Sequence, residues 1–240
     1  MNLDIVGQVT NNGFAIIPNI LSFREVQELL LALESISSAD DGRRRGGVRN
    51  LLEAVPLIYE LARSSSLRTM VEPILGDKWF PVRAILFDKN PEANWKVPWH
   101  QDLSIAVQKR VEVEGFGSWS MKAGVQHVQP PAALLENMLA VRLHLDNCDE
   151  TNGPVRVIPG SHKYGRIPES EIQNYITRSI QDCLVPTGGV FLMKPLLLHA
   201  SSLSQSPKHR RVIHIEYAAE SLPGGLEWNF SPVAIPGHLQ

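Results

Sequence analysis

From Trp79 onward, apolar residues come in short or alternating runs separated by clusters of Gly, Pro, Asn and Asp. Helices need apolar residues at three- and four-residue spacing over a longer stretch, so this texture restricts the segment to strands. The runs predict strands near 79–87, 99–107, 139–146, 154–159, 183–186, 189–193, 196–202 and 210–219, the pattern of an all-β sandwich or barrel. Two stretches interrupt it. Glu169 to Gln181 carries Ile172, Tyr175, Ile176 and Ser179 at helical spacing and predicts a short inserted helix. Residues 108–137 are too long for a hairpin and rich in Gly, Pro and aromatic residues, among them Gly115, Phe116, Gly117, Trp119, Pro130 and Pro131. Such a segment predicts a lid or binding loop.

Before Trp79 the period is helical. Ser22-Phe-Arg-Glu25 has the S-x-x-E form of a capping box, and Phe23, Val26, Leu29, Leu30 and Leu33 place an amphipathic helix from there to about Ile36. Ser37 to Asn50, with Arg43-Arg44-Arg45 between glycines, reads as a solvated loop. A second helical stretch runs from about Pro56 to Leu75, broken near Ser64-Ser65-Ser66 and stopped by Gly76. The 240 residues show no repeat and no composition shift, so one domain is expected over 1–240: a helical flank over 1–78 and a β core over 79–219.

Lys plus Arg is 23 against 25 for Asp plus Glu, a net charge of −2, which gives no whole-molecule field to draw in nucleic acid or a membrane surface. Neither partner is expected; a small molecule is. Cys148 and Cys183 stand far apart and outside any C-x-x-C spacing, so a disulfide framework and a thiolate zinc site are not expected and a reducing, cytoplasmic setting is. The opening Met1-Asn-Leu-Asp-Ile-Val-Gly predicts no secretory leader, and the apolar runs fall far short of the roughly 18 residues of a membrane span.

Histidine and carboxylate two apart on a strand point to one face and can offer two ligands to one metal. Three such pairs occur, His100/Asp102, His144/Asp146 and His214/Glu216, and spacing does not rank them; a satisfied polar pair on a strand is the plainer reading of each. His199 is the candidate third ligand, because it ends the apolar run Leu196-Leu-Leu and is followed by the small residues Ala200-Ser201-Ser202. Two His and one carboxylate on one side of a metal leave positions free, which suits non-haem Fe(II) and oxygen chemistry. A keto acid with a second carboxylate would then need a buried cation, and Arg is preferred for its planar fork.

Val97-Pro-Trp-His100-Gln-Asp102-Leu, then Leu143-His-Leu-Asp146 with Asn152-Gly153-Pro-Val-Arg-Val-Ile-Pro159-Gly160-Ser161-His162-Lys163, then His199-Ala-Ser201 and Arg210 resemble the phytanoyl-CoA dioxygenase family of Fe(II)/2-oxoglutarate oxygenases. The opening Gly13-Phe-Ala-Ile-Ile-Pro-Asn-Ile-Leu-Ser22 is similar to that family as well, so the resemblance spans nearly the whole chain. It implies a double-stranded β-helix, Fe(II) held by His100, Asp102 and His199, and 2-oxoglutarate bound through Arg210 with help from Ser201 and with Gln101 nearby. It implies decarboxylation of 2-oxoglutarate by O2 to succinate and CO2, with hydroxylation of a substrate as the default outcome; Asp102 stands where related halogenases carry a small residue. His162 matches a structural position.

Arg142 stands where some relatives carry an aromatic residue, and alternation puts Arg142, His144 and Asp146 on one strand face. If that face looks inward the pocket is more polar than one for a branched fatty acyl chain, and Arg142, His144 and Trp119 become substrate-contact candidates, with His127 as a further loop residue. The alternative for Arg142 is a pairing with Asp146 or Glu216. Two other functions remain open: a divalent-metal hydrolase or isomerase on a cupin-like barrel, which leaves Arg210 without a task, and a non-catalytic binding protein of the same fold.

Overall fold

The computed structural model describes residues 4–37, 47–177, 179–205 and 208–230. Arg43-Arg44-Arg45 lies outside the described residues. The N-terminal part carries α1 (Ile5–Asn12), β1 (Phe14–Ile17), α2 (Phe23–Ser37), β2 (Gly47–Val48), α3 (Leu51–Ala54), α4 (Pro56–Ala62) and α5 (Ser65–Leu75). The capping box before α2 forms as its sequence predicts: the Ser22 backbone N–H donates to Glu25 Oε2 at 2.7 Å and the Glu25 N–H donates back to Ser22 Oγ at 3.3 Å. Ser64 caps α5 through the Leu67 N–H, which is why the helical stretch breaks there.

The remaining chain forms β3 (Phe80–Lys89), β4 (Val97–His100), β5 (Ile105–Val107), β6 (Gly117–Lys122), β7 (Val125–Gln129), α6 (Ala132–Glu136), β8 (Leu139–His144), β9 (Val155–Val157), α7 (Ile172–Ile176), β10 (Gln181–Cys183), β11 (Val190–Met193), β12 (His199–Ser201) and β13 (Arg210–Ala218). A six-stranded sheet runs β1-β11-β8-β13-β3-β2 and a four-stranded sheet runs β10-β9-β12-β4, and neighbouring strands pair antiparallel. The large sheet has two apolar faces. Val141, Leu143, Ile213, Ile215 and Tyr217 pack outward on the helices with Leu29, Ile58 and Leu67, and Tyr217 Oη donates to the Ala62 carbonyl at 2.8 Å. Phe14, Ala140, Phe191 and Met193 point the other way, onto Val155 and Val157 of the small sheet. This is the double-stranded β-helix that the strand pattern and the family resemblance led us to expect.

Several boundaries differ from the sequence expectation. The strand expected over 99–107 is two, because the chain turns at Gln101, whose side-chain amide donates to the Gly165 and Leu196 carbonyls and accepts from the Ile167 N–H. Pairing over 196–202 is confined to His199–Ser201, since Leu196 and Leu197 lie in a turn closed by Leu197 N–H to Lys194 O. The 183–186 strand is Gln181–Cys183, with Val185 bridged singly to Cys148. The expected 169–181 helix is a single 3-10 turn followed by α7.

Residues 108–137, expected to be too long for a hairpin, in fact contain one. β6 and β7 join through Ala123 and Gly124, both at positive φ, and β7 pairs with β5 to make a three-stranded sheet. Val128 is fully buried on an apolar cluster with Leu134, Leu135 and Trp228. Among the described residues no helix is long and apolar enough to cross a membrane.

Candidate active site

β4 and β12 lie side by side in the small sheet, and their register sets His199 opposite His100. The two imidazole centroids are 4.2 Å apart. Asp102 follows just past the end of β4, where its backbone N–H donates to the Pro195 carbonyl at 2.9 Å and so fastens it to the segment leading into β12. His100 Nε2 stands 3.6 Å from Asp102 Oδ1 and His199 Nε2 3.7 Å from Oδ2; one ligand atom from each residue falls within 4.8 Å of the others.

The backbone chooses the tautomers. His100 Nδ1 lies 2.9 Å from the Pro98 carbonyl and His199 Nδ1 2.9 Å from the Leu197 carbonyl. A carbonyl accepts only, so both Nδ1 atoms carry the proton and both Nε2 lone pairs turn toward the carboxylate. The Nε2-to-oxygen separations exceed a hydrogen bond, which leaves the three groups disposed around a shared point.

Electrostatics favour the ligand forms of Asp102 and His199. Burial works to raise Asp102, but the neighbouring His199 and His100 outweigh it and hold the carboxyl well below its ordinary value. Burial lowers His199 to about 4, so it is neutral at neutral pH. Burial also pulls His100 down, yet its contact with Asp102 prevails and the net direction is upward. An ionised carboxylate and two imidazole nitrogens with fixed tautomers are a donor set that fits Fe(II).

The other two His-carboxylate pairs are separated or satisfied. β8 ends at His144, and Asp146 beyond it accepts from Arg211 at 2.7 and 2.8 Å. His214 Nε2 sits 3.1 Å from Glu216 Oε1, and Glu216 is also the partner of Arg83. What distinguishes His100/Asp102 is His199.

A cavity of about 450 Å³ opens beside the three residues and is also lined by Arg210, Ser201, Gln101 and Arg142. Arg210 begins β13, is 3 % exposed, and donates from Nη1 to the Gly153 carbonyl. Gly153 has a φ of +59°, and a Cβ there would come within 2.7 Å of the Ser202 carbonyl, so the N-G motif is a backbone requirement that places Arg210. The P-G-S-H turn serves β12: Ser161 Oγ accepts the Leu198 N–H at 2.9 Å, and His162 Nε2 donates to Thr10 O at 3.2 Å.

Lys89 was not anticipated. It is fully buried at the end of β3 opposite Arg210, and its Nζ donates to Ser201 Oγ at 3.0 Å and to the Ser202 carbonyl at 2.5 Å. Extending the alternation of Arg83, Ile85 and Phe87 by one step would have put it on the cavity side. Gln101 lines the cavity, but its amide is committed to the three backbone bonds that shape the His100–Asp102 turn.

Arg142 does face inward, though neither Asp146 nor Glu216 is its partner. Its Nη1 donates to His214 Nδ1 at 3.1 Å, and its guanidinium lies over the Phe87 ring. His144 and Trp119 are not among the residues lining the cavity. His144 is buried deeper in the sheet, and burial, then the charges of Arg142 and Arg210, hold it neutral. Trp119 packs on the cluster under the hairpin with Arg110 over its ring. His127 is buried, with Nδ1 donating to Val125 O. From the same hairpin, Lys122 and Gln129 line the cavity instead.

Fold and donor set together define a class, the double-stranded β-helix with a two-histidine, one-carboxylate centre. The chain belongs to the phytanoyl-CoA dioxygenase family, whose model matches residues 9–212. It is 25% identical over 242 residues to a probable alpha-ketoglutarate-dependent hypophosphite dioxygenase of Stutzerimonas stutzeri, covering 87% of this chain and 76% of that protein. Among solved structures it resembles the non-heme alpha ketoglutarate dependent carbocyclase SnoK from nogalamycin biosynthesis, with a TM-score of 0.72, 15% identity and coverage of 92% and 85%. It also resembles EctD from S. alaskensis with 2-oxoglutarate and 5-hydroxyectoine, with a TM-score of 0.69, 20% identity and coverage of 91% and 76%. These two structural likenesses concern the fold.

Proposed function

We propose that the protein is an Fe(II)- and 2-oxoglutarate-dependent oxygenase that hydroxylates a small-molecule substrate in the cytoplasm. The observation that carries this reading is the convergence of both Nε2 atoms on Asp102, with Arg210 and Ser201 in the same cavity. When bound, iron with 2-oxoglutarate and O2 supplies the oxidation, releasing succinate and CO2. His100, Asp102 and His199 would hold the metal. Arg210 presents its fork to the far carboxylate of 2-oxoglutarate, and the Ser201 hydroxyl, fixed by Lys89, adds a second hydrogen bond. Leu103, Ile85 and Phe87 line the cavity with apolar surface that limits water around the reacting groups.

A metal hydrolase on the same donors would leave the buried Arg210 without a ligand to hold, and a binding protein would not need an open metal centre. Anaerobic Fe(II) titration, 2-oxoglutarate titration and succinate release on admitting O2 test the proposal. Metal binding without 2-oxoglutarate binding would overturn it in favour of a hydrolase or isomerase.

A further inference from the structure

Register divides the charged residues of the cavity into two groups. On the β3–β13 pair, Lys89 opposes Arg210 at one end and Arg83 opposes Glu216 at the other. Lys89 is six steps along β3 from Arg83, which at about 3.3 Å per residue places the two ends roughly 20 Å apart. One 2-oxoglutarate molecule, five carbons long, cannot occupy both.

At the Arg83 end, two more cations line the cavity. Arg49 follows β2, whose Val48 is paired with Leu86 of β3, and Lys122 ends β6 at the hairpin turn. Neither side chain makes a hydrogen bond or ion pair among the described residues. Desolvation, and then the nearby Arg83 charge, lowers the pKa of both, and Arg49 lowers Lys122 further, so these cations share one field, which Glu216 offsets in part.

The charges of the filled site explain why this field matters. A divalent iron, the Asp102 carboxylate, the 2-oxoglutarate dianion and Arg210 together sum to neutrality. Glu216 neutralises Arg83. Arg142 adds a charge in the middle of the sheet, where it is bound to His214; Arg49 and Lys122 are left over at the end away from Arg210, and Ser104 and Gln129 line the same cavity as neutral polar groups. A guanidinium and an ammonium facing one space are suited to an oxyanion.

We infer that Arg49 and Lys122 form the substrate's anchoring site and that the substrate carries an oxyanion group, a carboxylate or a phosphorus oxyanion. This inference rests on the oxygenase reading for its account of the Arg210 end. Lys122 brings the 108–137 segment into substrate recognition, in place of Trp119.

The test uses the full chain loaded with Mn(II) and 2-oxoglutarate, so that the Arg210 end is filled. Inorganic phosphate, propanoate and neutral propanamide are titrated calorimetrically into wild type, R49Q, K122Q and R49K. At least one of the two anions should bind and propanamide should not. R49Q and K122Q should each weaken the anion at least about tenfold, as loss of one charge-assisted hydrogen bond requires, and R49K should recover part of that loss. The affinity for 2-oxoglutarate should stay within about twofold, which separates this site from a folding defect. Anion binding that survives in the R49Q/K122Q double variant, equal binding of propanamide, or no binding of either anion overturns the inference. If 2-oxoglutarate itself fails to bind, the oxygenase reading falls, and the same anion titrations on the Mn(II) protein still decide whether Arg49 and Lys122 hold an anion.

Discussion

Lys89 and Arg210 oppose each other in the antiparallel pairing of β3 with β13, and both are buried at the end of the cavity where Ser201 lies. Burial first, and the charge of Arg210 next, lowers the Lys89 pKa from 10.5 to about 7. Between these values the unfolded chain binds more protons than the folded one, so the Lys89 contribution makes stability rise with pH across that window. Below about 7 the full cost of charging the buried amine is present. A carboxylate arriving at Ser201 and Arg210 raises the Lys89 pKa, so 2-oxoglutarate binding at about pH 8 should take up part of a proton. Calorimetry in buffers of different ionisation enthalpy reads this directly. K89M should abolish the uptake, and undiminished uptake in that variant would remove Lys89 from the co-substrate site.

Replacing His100, Asp102 or His199 by Ala should abolish Fe(II) or Mn(II) binding and 2-oxoglutarate turnover while leaving the far-ultraviolet circular dichroism unchanged. His144→Ala should retain the metal. Metal lost in His144→Ala but kept in Asp102→Ala would place the centre elsewhere.

Arg210→Lys keeps the charge and loses the fork, so the KM for 2-oxoglutarate should rise at least about tenfold. Arg211 points to the other face and pairs with Asp146. Arg211→Ala should leave KM unchanged and cost at most about 1 kcal/mol of stability, as for a partly exposed ion pair. A larger KM effect at Arg211 would mean that the strand register is wrong.

Gly153→Ala sets a methyl 2.7 Å from the Ser202 carbonyl in a left-handed backbone. It should destabilise the fold by roughly 1–3 kcal/mol and weaken 2-oxoglutarate, because the Gly153 carbonyl is the anchor of Arg210. Gly124→Ala has the same sign of φ but open space around it, so it should cost about 1 kcal/mol and leave 2-oxoglutarate affinity intact. Chemical denaturation and co-substrate titration of the two variants make the comparison.

The sequence patterns that proved readable are those in which one local rule decides the outcome. The Ser22–Glu25 box started α2, Gly76 ended α5, and the alternation of Arg142 and His144 turned both inward. Motif order, rather than any one pair, singled out His100, Asp102 and His199, since three His-x-carboxylate pairs share the same spacing. What stayed illegible depends on contacts between distant segments. The partner of Arg142 is His214 on the neighbouring strand, set by inter-strand register. The amide of Gln101 is claimed by the Gly165 and Leu196 carbonyls, which lie 64 and 95 residues away. Arg49 follows a two-residue strand whose pairing with β3 no local period announces. The 108–137 segment failed for another reason: Ala123-Gly124 is a hairpin turn without the usual Asn or Asp signal, and the glycines around it favoured a loop reading.

That segment also yields the most direct test of motion. Its β7 strand is paired on both sides, by β5 and β6, and its own His127 and Val128 are buried. Amides held in this way open with difficulty, whereas the turn at Ala123 and Gly124 has solvent around it and carries Lys122 at its edge. Hydrogen exchange should therefore show strong protection of Val125–Gln129 in the free protein. Protection gained on adding Mn(II), 2-oxoglutarate and an oxyanion should be confined to the tip around Lys122–Gly124. A closing motion of the tip alone would bring the Lys122 ammonium onto the substrate while the sheet behind it holds the cavity wall in place. Rapid exchange across all of 108–137 that slows as a unit on ligand addition would instead mean that the whole insertion opens and closes, with Gly115 and Gly117 as its hinges.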